Sequence, residues 1–275
     1  MPELPEVETV VRGIRPYLED KSIKGLKVYS PKLRYLIPKS LKKECLNSKI
    51  TNVQRKAKYI LIELDKEKLI VIHLGMTGKL IVKKAQSKLT LSKHDHVVFT
   101  LNNGNSLIFN DVRKFGMLDL IDQNQIPSYK FFKKLGFEPL EKEFNLKAFQ
   151  GILENRNKSI KSTIMDSNLI VGVGNIYANE ALFKSGIHPE RTANNLSLEE
   201  MKSLRAEIIK TLKAAIKAGG STLKDFANEK GESGYFQFNF KVYGRSGEPC
   251  FKCKTHIERI KQNGRSSFVC PQCQN

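Results

Sequence analysis

The chain has 275 residues, 40% of them hydrophobic and 27% charged, a balance that supports folded domains and excludes a disordered polyelectrolyte. Lys and Arg number 47 against 28 acids, for a formal net charge of +19; the surplus is spread along the chain and points to a polyanionic partner, nucleic acid ahead of an anionic membrane surface. No run of about 18 apolar residues and no secretory leader is present, so the expected location is the cytoplasm or the chromosome.

The chain opens on Met1-Pro2-Glu3-Leu4-Pro5-Glu6. Pro5 suits the first position of a helix, Glu6 and Glu8 suit its first turn, and Val7, Val10, Val11, Ile14 and Leu18 repeat at helical spacing. An amphipathic helix over Pro5 to Arg15, stopping or kinking near Pro16, accounts for this stretch without needing Pro2 and Glu3. Removal of Met1 would leave Pro2 with a secondary amine at the terminus. Such an amine attacks a sugar aldehyde carbon to give a cationic iminium, an electron sink that favours loss of the neighbouring phosphates. Terminal amines titrate at about 7.7–8.0, well below lysine, and Glu3 and Glu6 would supply acid and base beside it. The plain alternative is that Pro2-Glu3 only starts the helix.

Strand character follows. Ile50 to Val53, Tyr59 to Leu64, Leu69 to His73, Lys79 to Val82, Val97 to Leu101, Ser106 to Phe109 and Met117 to Ile121 are short apolar runs between polar turns, and Asn102-Asn103-Gly104-Asn105 marks a hairpin. Seven such strands imply a sandwich or barrel. The period then changes, and Ser128 to Leu135, Asn145 to Glu154, Ser159 to Met165, Asn175 to Ser185 and Ser197 to Ala218 read as helices. The last has a capping box at Ser197-Leu198-Glu199-Glu200 and a stop at Gly219-Gly220. Ser221 to Gly234 is polar and glycine-punctuated, and a mobile loop is expected there.

Cys250-x2-Cys253-x16-Cys270-x2-Cys273 closes the chain. Two thiolate pairs at this spacing present four sulfurs to one tetrahedral ion, predicting a structural zinc in a basic hairpin that carries Arg265. Two disulfides would need an oxidising compartment, for which there is no targeting segment. Cys45 stands alone and is expected to be a small buried apolar residue. Other motifs are open to two readings. Gly172-Val173-Gly174-Asn175 suits a phosphate at a helix start or an ordinary capped loop. Asp111-Val112-Arg113-Lys114-Phe115-Gly116 suits a wedge in a base stack or a solvated turn with one core phenylalanine. His94-Asp95-His96 lacks a third metal ligand and suits phosphate contact or strand polarity.

Together these motifs resemble the bacterial formamidopyrimidine-DNA glycosylases, also called 8-oxoguanine DNA glycosylases or AP lyases. They stand in family order: PELPEVE at the start, RKAKY at Arg55 to Tyr59, HLGMTG at His73 to Gly78, KHDHV at Lys93 to Val97, DVRKFG at Asp111 to Gly116, VGVGNIYANEALF at Val171 to Phe183, GIHPER at Gly186 to Arg191, GGSTLKDF at Gly219 to Phe226, VYGRSGEPC at Val242 to Cys250, and the four cysteines. The resemblance implies an α+β multidomain fold: an N-terminal β-sandwich with an edge helix over 1–125, a helix-two-turns-helix DNA-binding domain over 126–220, a lesion-capping loop and connector over 221–245, and a zinc hairpin over 246–275. It also implies removal of oxidised purines such as 8-oxoguanine and formamidopyrimidines from duplex DNA, with β,δ-elimination, by a monomer that holds one zinc ion. Pro2 looks like the nucleophile and Glu3 like the proton donor for sugar-ring opening. Lys58 resembles the family's β-elimination lysine and Arg265 its δ-elimination arginine. His94, Arg113 and Arg156 fall where the family contacts DNA, with His73 and Asn175 expected to hold phosphates near the lesion. Met76, Arg113 and Phe115 match the side chains that fill the gap left by an extruded base. Ser233 replaces a proline usual in the lesion loop, and Lys254 and His256 replace a glycine and a proline usual after the second cysteine. Leu4 argues against the endonuclease VIII sister class, which typically has glycine there and prefers oxidised pyrimidines. A zinc-stabilised nucleic-acid-binding protein without catalysis is the reading from a different class.

Overall fold

The computed structural model describes residues 2–87, 90–221 and 239–275. The chain divides into two compact units, Met1–Lys133 with Gly219–Tyr235, and Lys134–Ala218 with Phe236–Asn275.

The first unit is a sandwich of two four-stranded antiparallel sheets. One sheet has the order β1 (Ile23–Val28), β6 (Asp95–Leu101), β7 (Ser106–Asp111), β5 (Gly78–Lys83); the other has β2 (Ile50–Lys56), β3 (Tyr59–Leu64), β4 (Lys68–His73), β8 (Met117–Asp122). Seven of these eight strands are the apolar runs expected from the sequence. The eighth, β1, is not among them: a bulge between Ile23 and Gly25 in its pairing with β6 brings Ile23 and Leu26 into the core three residues apart, and Lys24, Gly25 and Lys27 leave no apolar run to read.

Helix α1 (Leu4–Leu18) joins this core through Val7, Val10, Val11, Ile14 and Leu18, which pack with Ile60, Ile62, Ile70 and Ile72 of one sheet and Val97, Phe99, Leu107 and Phe109 of the other. Of the two outcomes expected at Pro16, the helix does not stop there but runs on to Leu18, whose fully buried side chain anchors the last turn. It also starts earlier, at Leu4, with Glu3 as its N-cap.

A short helix α2 (Leu41–Cys45) was too brief to show a period. The helix expected over Ser128 to Leu135 forms turns instead. Tyr129 donates its hydroxyl to Asp119 at 2.7 Å, and the rings of Tyr129 and Phe132 meet at 4.9 Å while Phe132 lies 5.2 Å from Tyr59 on β3. Burying these rings against the sheet outweighs a weak helical preference.

The second unit holds helices α3 (Leu146–Leu153), α4 (Ile160–Ile164), α5 (Asn175–Ser185) and α6 (Leu198–Lys217) around one apolar cluster. Asn145, Ser159 and Ser197 cap α3, α4 and α6 by accepting from the backbone N–H three residues on, the last within the capping box that the sequence predicts. The hairpin of β9 (Glu258–Gln262) and β10 (Arg265–Val269) belongs to the same unit, and Phe183 of α5 packs with Val242, Ile257 and Phe268. Two fully buried polar side chains on α5 fasten it. The Glu180 carboxylate accepts the backbone N–H groups of Lys241, Val242 and Tyr243 at 2.9–3.0 Å, and Asn179 Oδ1 accepts that of Phe268 at 2.8 Å. Among the described residues, no helix is long and apolar enough to cross a membrane.

Candidate nucleic-acid interface and reactive terminus

The amino terminus is tied down by a single carboxylate. Glu6 Oε2 accepts the backbone N–H of Glu3 at 2.8 Å, and Glu6 Oε1 accepts both the N–H and the hydroxyl of Ser221, at 2.8 and 2.9 Å. Gly220, at φ +81°, passes so close that a Cβ would sit 3.2 Å from Glu6 Oε1. Glu6 therefore ties the head of α1 to the start of the GGSTLKDF segment, with both carboxylate oxygens accepting hydrogen bonds. Glu3, only 4% exposed, sits next to Pro2 at the head of α1. The expected loop beyond Ser221, including Ser233, lies outside the described residues.

A chain of polar contacts sets the RKAKY turn against α1. Glu8 accepts from Arg12 Nε at 2.8 Å and from the buried Arg55 Nε at 3.1 Å, and Arg55 in turn donates to the Ala57 carbonyl at 3.0 Å. Burial raises the Glu8 pKa, but the hydrogen bonds and charges of Arg12 and Arg55 outweigh it, leaving the carboxyl below its ordinary range. Ala57 adopts a left-handed conformation, φ 53°, which turns the chain at Lys58.

Across β3 and β4, Lys58 lies near enough to act on His73. Burial first, then the charges of Lys58 and Arg34, hold the His73 pKa down at about 4. Its Nδ1 accepts the Gly75 N–H at 3.0 Å, so the neutral ring carries its proton on Nε2 and offers a donor to an anion. The pH consequence has a definite sign. Between pH about 6.5 and 4 the unfolded chain takes up a proton that the folded chain refuses, so His73 costs stability at up to about 1.4 kcal/mol per pH unit as pH falls through that window. Thermal unfolding of His73→Gln across that window should lack this component, whereas an unchanged slope would assign the loss elsewhere.

Met76 and Phe115 stand 37% and 44% exposed, large apolar side chains held in water. The Arg113 guanidinium lies 4.5 Å from the Phe115 ring. Gly75, at φ +64°, lets the Met76 turn press against the Phe115 backbone, where any Cβ would overlap. His94 is half-buried on the adjoining turn, while His96 is buried with Nε2 2.7 Å from the Asp111 carbonyl. The two histidines thus have different environments: His94 faces solvent in part and His96 is structural.

In the second unit, Asn175 opens α5 and donates through Nδ2 to the Ser266 carbonyl at 3.0 Å, next to the exposed Arg265. The buried Lys161 of α4 donates to the same carbonyl at 3.0 Å and to Ser267 Oγ at 2.6 Å. Arg156 is exposed and, with Lys158, Gln262 and Asn263, lines a hollow beside the hairpin tip. Sequence reasoning missed Lys161, Asn179 and Glu180. A signal existed for the last two, since an Asn-Glu pair inside the otherwise apolar YANEALF run must find partners if the helix is buried.

The four hairpin cysteines gather within 4.8 Å of one another. Cys250 and Cys273 sulfurs are 4.0 Å apart and Cys253 and Cys270 sulfurs 3.4 Å, too far for disulfides and close to the edges of a tetrahedron around one zinc ion. Burial pushes the Cys273 thiol up and the Thr255 hydroxyl draws Cys253 down; a cation among the four sulfurs binds them as thiolates. With four protein ligands no coordination position is open, and the zinc is structural. Cys45, fully buried with its thiol pushed up to about 12 by burial, is the inert residue expected. Lys254 adopts φ 70° just after Cys253. Lys254→Gly should relieve about 1 kcal/mol of backbone strain, seen as a higher Tm and slower zinc loss to a chelator; a lower Tm would refute the strain.

Comparison with known proteins covers the whole chain. Residues 1–118 match the formamidopyrimidine-DNA glycosylase N-terminal domain, residues 135–227 the formamidopyrimidine-DNA glycosylase H2TH domain, and residues 247–275 the zinc finger found in FPG and IleRS. A formamidopyrimidine-DNA glycosylase of Legionella pneumophila (strain Philadelphia 1) is 46% identical over 275 residues, covering 100% of this chain and 98% of that protein. One from a Wolbachia of Drosophila simulans is 45% identical over 275 residues, with 100% of both covered. Among solved structures, wild-type Lactococcus lactis Fpg (MutM) in complex with DNA containing N7-benzyl-Fapy-dG superposes with a TM-score of 0.91 at 35% identity over 100% of both chains.

Proposed function

Because this chain belongs to the formamidopyrimidine-DNA glycosylase family, we propose that it excises oxidised purines, 8-oxoguanine and formamidopyrimidines, from duplex DNA and then cleaves the strand as an AP lyase. With Met1 removed, the Pro2 nitrogen bonds to C1′ as the C1′–base bond breaks and the base leaves with a proton. Glu3 protonates the ring oxygen O4′, the sugar opens, and C1′ becomes an iminium carbon. Loss of a proton from C2′, assisted by Lys58, expels the 3′ phosphate; loss of one from C4′, with Arg265 steadying the charge, expels the 5′ phosphate. His73, His94, Arg156 and Asn175 hold phosphates, and Met76, Arg113 and Phe115 fill the gap in the stack. Extrusion is needed because C1′ and the base are out of reach inside the helix, and an inserted apolar wedge offsets part of the unstacking.

We divide the labour accordingly, with chemistry on 1–125, DNA binding on 126–220, lesion capping on 221–245 and backbone contact by the zinc hairpin on 246–275. The protein acts as a monomer on chromosomal DNA in the cytoplasm. The observation that carries the reading is the position of Glu3, a nearly buried acid beside Pro2, bracketed by Glu6 to the segment that would cover a flipped base. Borohydride trapping on an abasic duplex, combined with excision assays on duplexes carrying 8-oxoguanine or oxidised pyrimidines opposite each base, tests it. The absence of a covalent adduct in protein whose intact mass lacks Met1 refutes the terminal nucleophile, and faster excision of pyrimidines refutes the purine assignment.

A further inference from the structure

Asp111 uses every hydrogen-bonding group it has to join three turns of the first unit. Its backbone N–H donates to the His94 carbonyl at 3.0 Å, and its backbone carbonyl meets His96 Nε2 at 2.7 Å. Its fully buried carboxylate then collects three donors. Oδ1 accepts from the Thr77 hydroxyl at 2.5 Å and from the Arg113 N–H at 3.2 Å, and Oδ2 accepts from the Gly116 N–H at 2.7 Å. Thr77 Oγ1 also accepts the Arg113 N–H, at 3.1 Å, closing a ring between the two turns. The packing is tight enough to demand glycine twice: a Cβ on Gly116 would lie 2.7 Å from Phe109, and one on Gly75 would overlap the Phe115 backbone. Thr77 follows Met76, and Asp111 to Gly116 bracket Arg113 and Phe115.

We propose that Asp111 is a positioning residue that locks the Met76 turn and the Arg113–Phe115 turn into one rigid wedge, so that nucleotide extrusion depends on a carboxylate buried beneath the side chains that perform it. This rests on the reading of Met76, Arg113 and Phe115 as the gap-filling set. Three exposed side chains on two loops insert together only if their backbones move as one body; loose turns would leave that ordering to be done during extrusion. A carboxylate is required because three donors converge and an amide offers one accepting oxygen, its NH2 opposing one of the N–H groups.

Asp111→Asn is to be compared with the parent protein in three measurements: single-turnover excision of 8-oxoguanine opposite cytosine in duplex DNA, fluorescence of a 2-aminopurine placed beside the lesion as a report of unstacking, and borohydride trapping on a single-stranded abasic oligonucleotide, which needs no extrusion. The expected result is excision slowed about tenfold or more with a weakened 2-aminopurine rise, and trapping within about twofold of the parent. Duplex excision within twofold of the parent overturns the proposal, and so does a parallel loss in all three, which would make Asp111 a fold residue only. Thr77→Val removes one arm of the ring at nearly constant shape and should show the same split with a smaller amplitude; if Asp111→Asn does not fold, this variant decides on the same criteria. Phe115→Ala separates the claims. If it unstacks DNA as the parent does, the wedge reading falls; if it slows extrusion while Asp111→Asn and Thr77→Val do not, only the positioning role falls.

Discussion

Glu3→Gln is expected to slow single-turnover release of 8-oxoguanine by about 100- to 10,000-fold, the range for loss of a positioned general acid, while Schiff-base trapping at a preformed abasic site falls far less. The asymmetry has a chemical cause. An intact nucleotide needs its ring oxygen protonated for the sugar to open, whereas an abasic sugar already equilibrates with its open aldehyde and presents C1′ to the amine. Gln keeps the size of the side chain and an accepting oxygen, so the N-cap of α1 and the Glu3 N–H to Glu6 bond should persist. An unchanged Tm is therefore part of the expected result. Equal loss of excision and trapping would remove Glu3 from proton donation and make it structural. Pro2→Gly should also slow trapping, because a primary amine loses the permanently charged iminium; an adduct formed at the parent rate would place the nucleophile elsewhere.

Cys270→Ser should abolish zinc binding and weaken duplex affinity by at least about 100-fold, since in such modules the metal's binding energy is folding energy. Cys270 is fully buried in the small cluster with Phe183, Val242, Ile257 and Phe268. Losing its thiolate loosens β10, and with it the Ser266 carbonyl that Lys161 and Asn175 grip and the adjoining Arg265. The β-sandwich has its own core, from Val7 to Leu118, and should keep its amide-exchange protection. Measured zinc content, a binding isotherm across salt concentrations and exchange rates for 50–122 check this together. Full affinity without zinc, or loss of protection throughout the sandwich, would contradict it.

The regular periods of the sequence led correctly to most of the architecture because each element there is stabilised by its own repeat. Tyr59–Leu64 and Asn175–Ser185 fall at the expected residues, and the caps at Asn145, Ser159 and Ser197 are local hydrogen bonds that three or four residues specify. β1 is hidden because Lys24, Gly25 and Lys27 break up its apolar residues, and the turns at Tyr129 to Phe132 read as a helix because their ring partners include Tyr59, about seventy residues earlier. The zinc site was legible from spacing alone, since each Cys-x2-Cys turn is a local geometry.

The opening hexapeptide divides along the same line. Sequence by itself determined that Pro2 and two carboxylates stand at the head of an amphipathic helix, and that four cysteines share an ion, because those properties belong to residue types and short spacings. Only the tertiary structure decided which groups each acid meets. Glu6 bonds both to Glu3, three residues away, and to Ser221, 215 residues away, and so brackets the head of α1 to a distant turn. Asp111, equally plain in sequence, becomes the knot of three turns. A carboxylate's role is set by which donors reach it, and donors brought from distant strands and loops leave no period in the chain to be read.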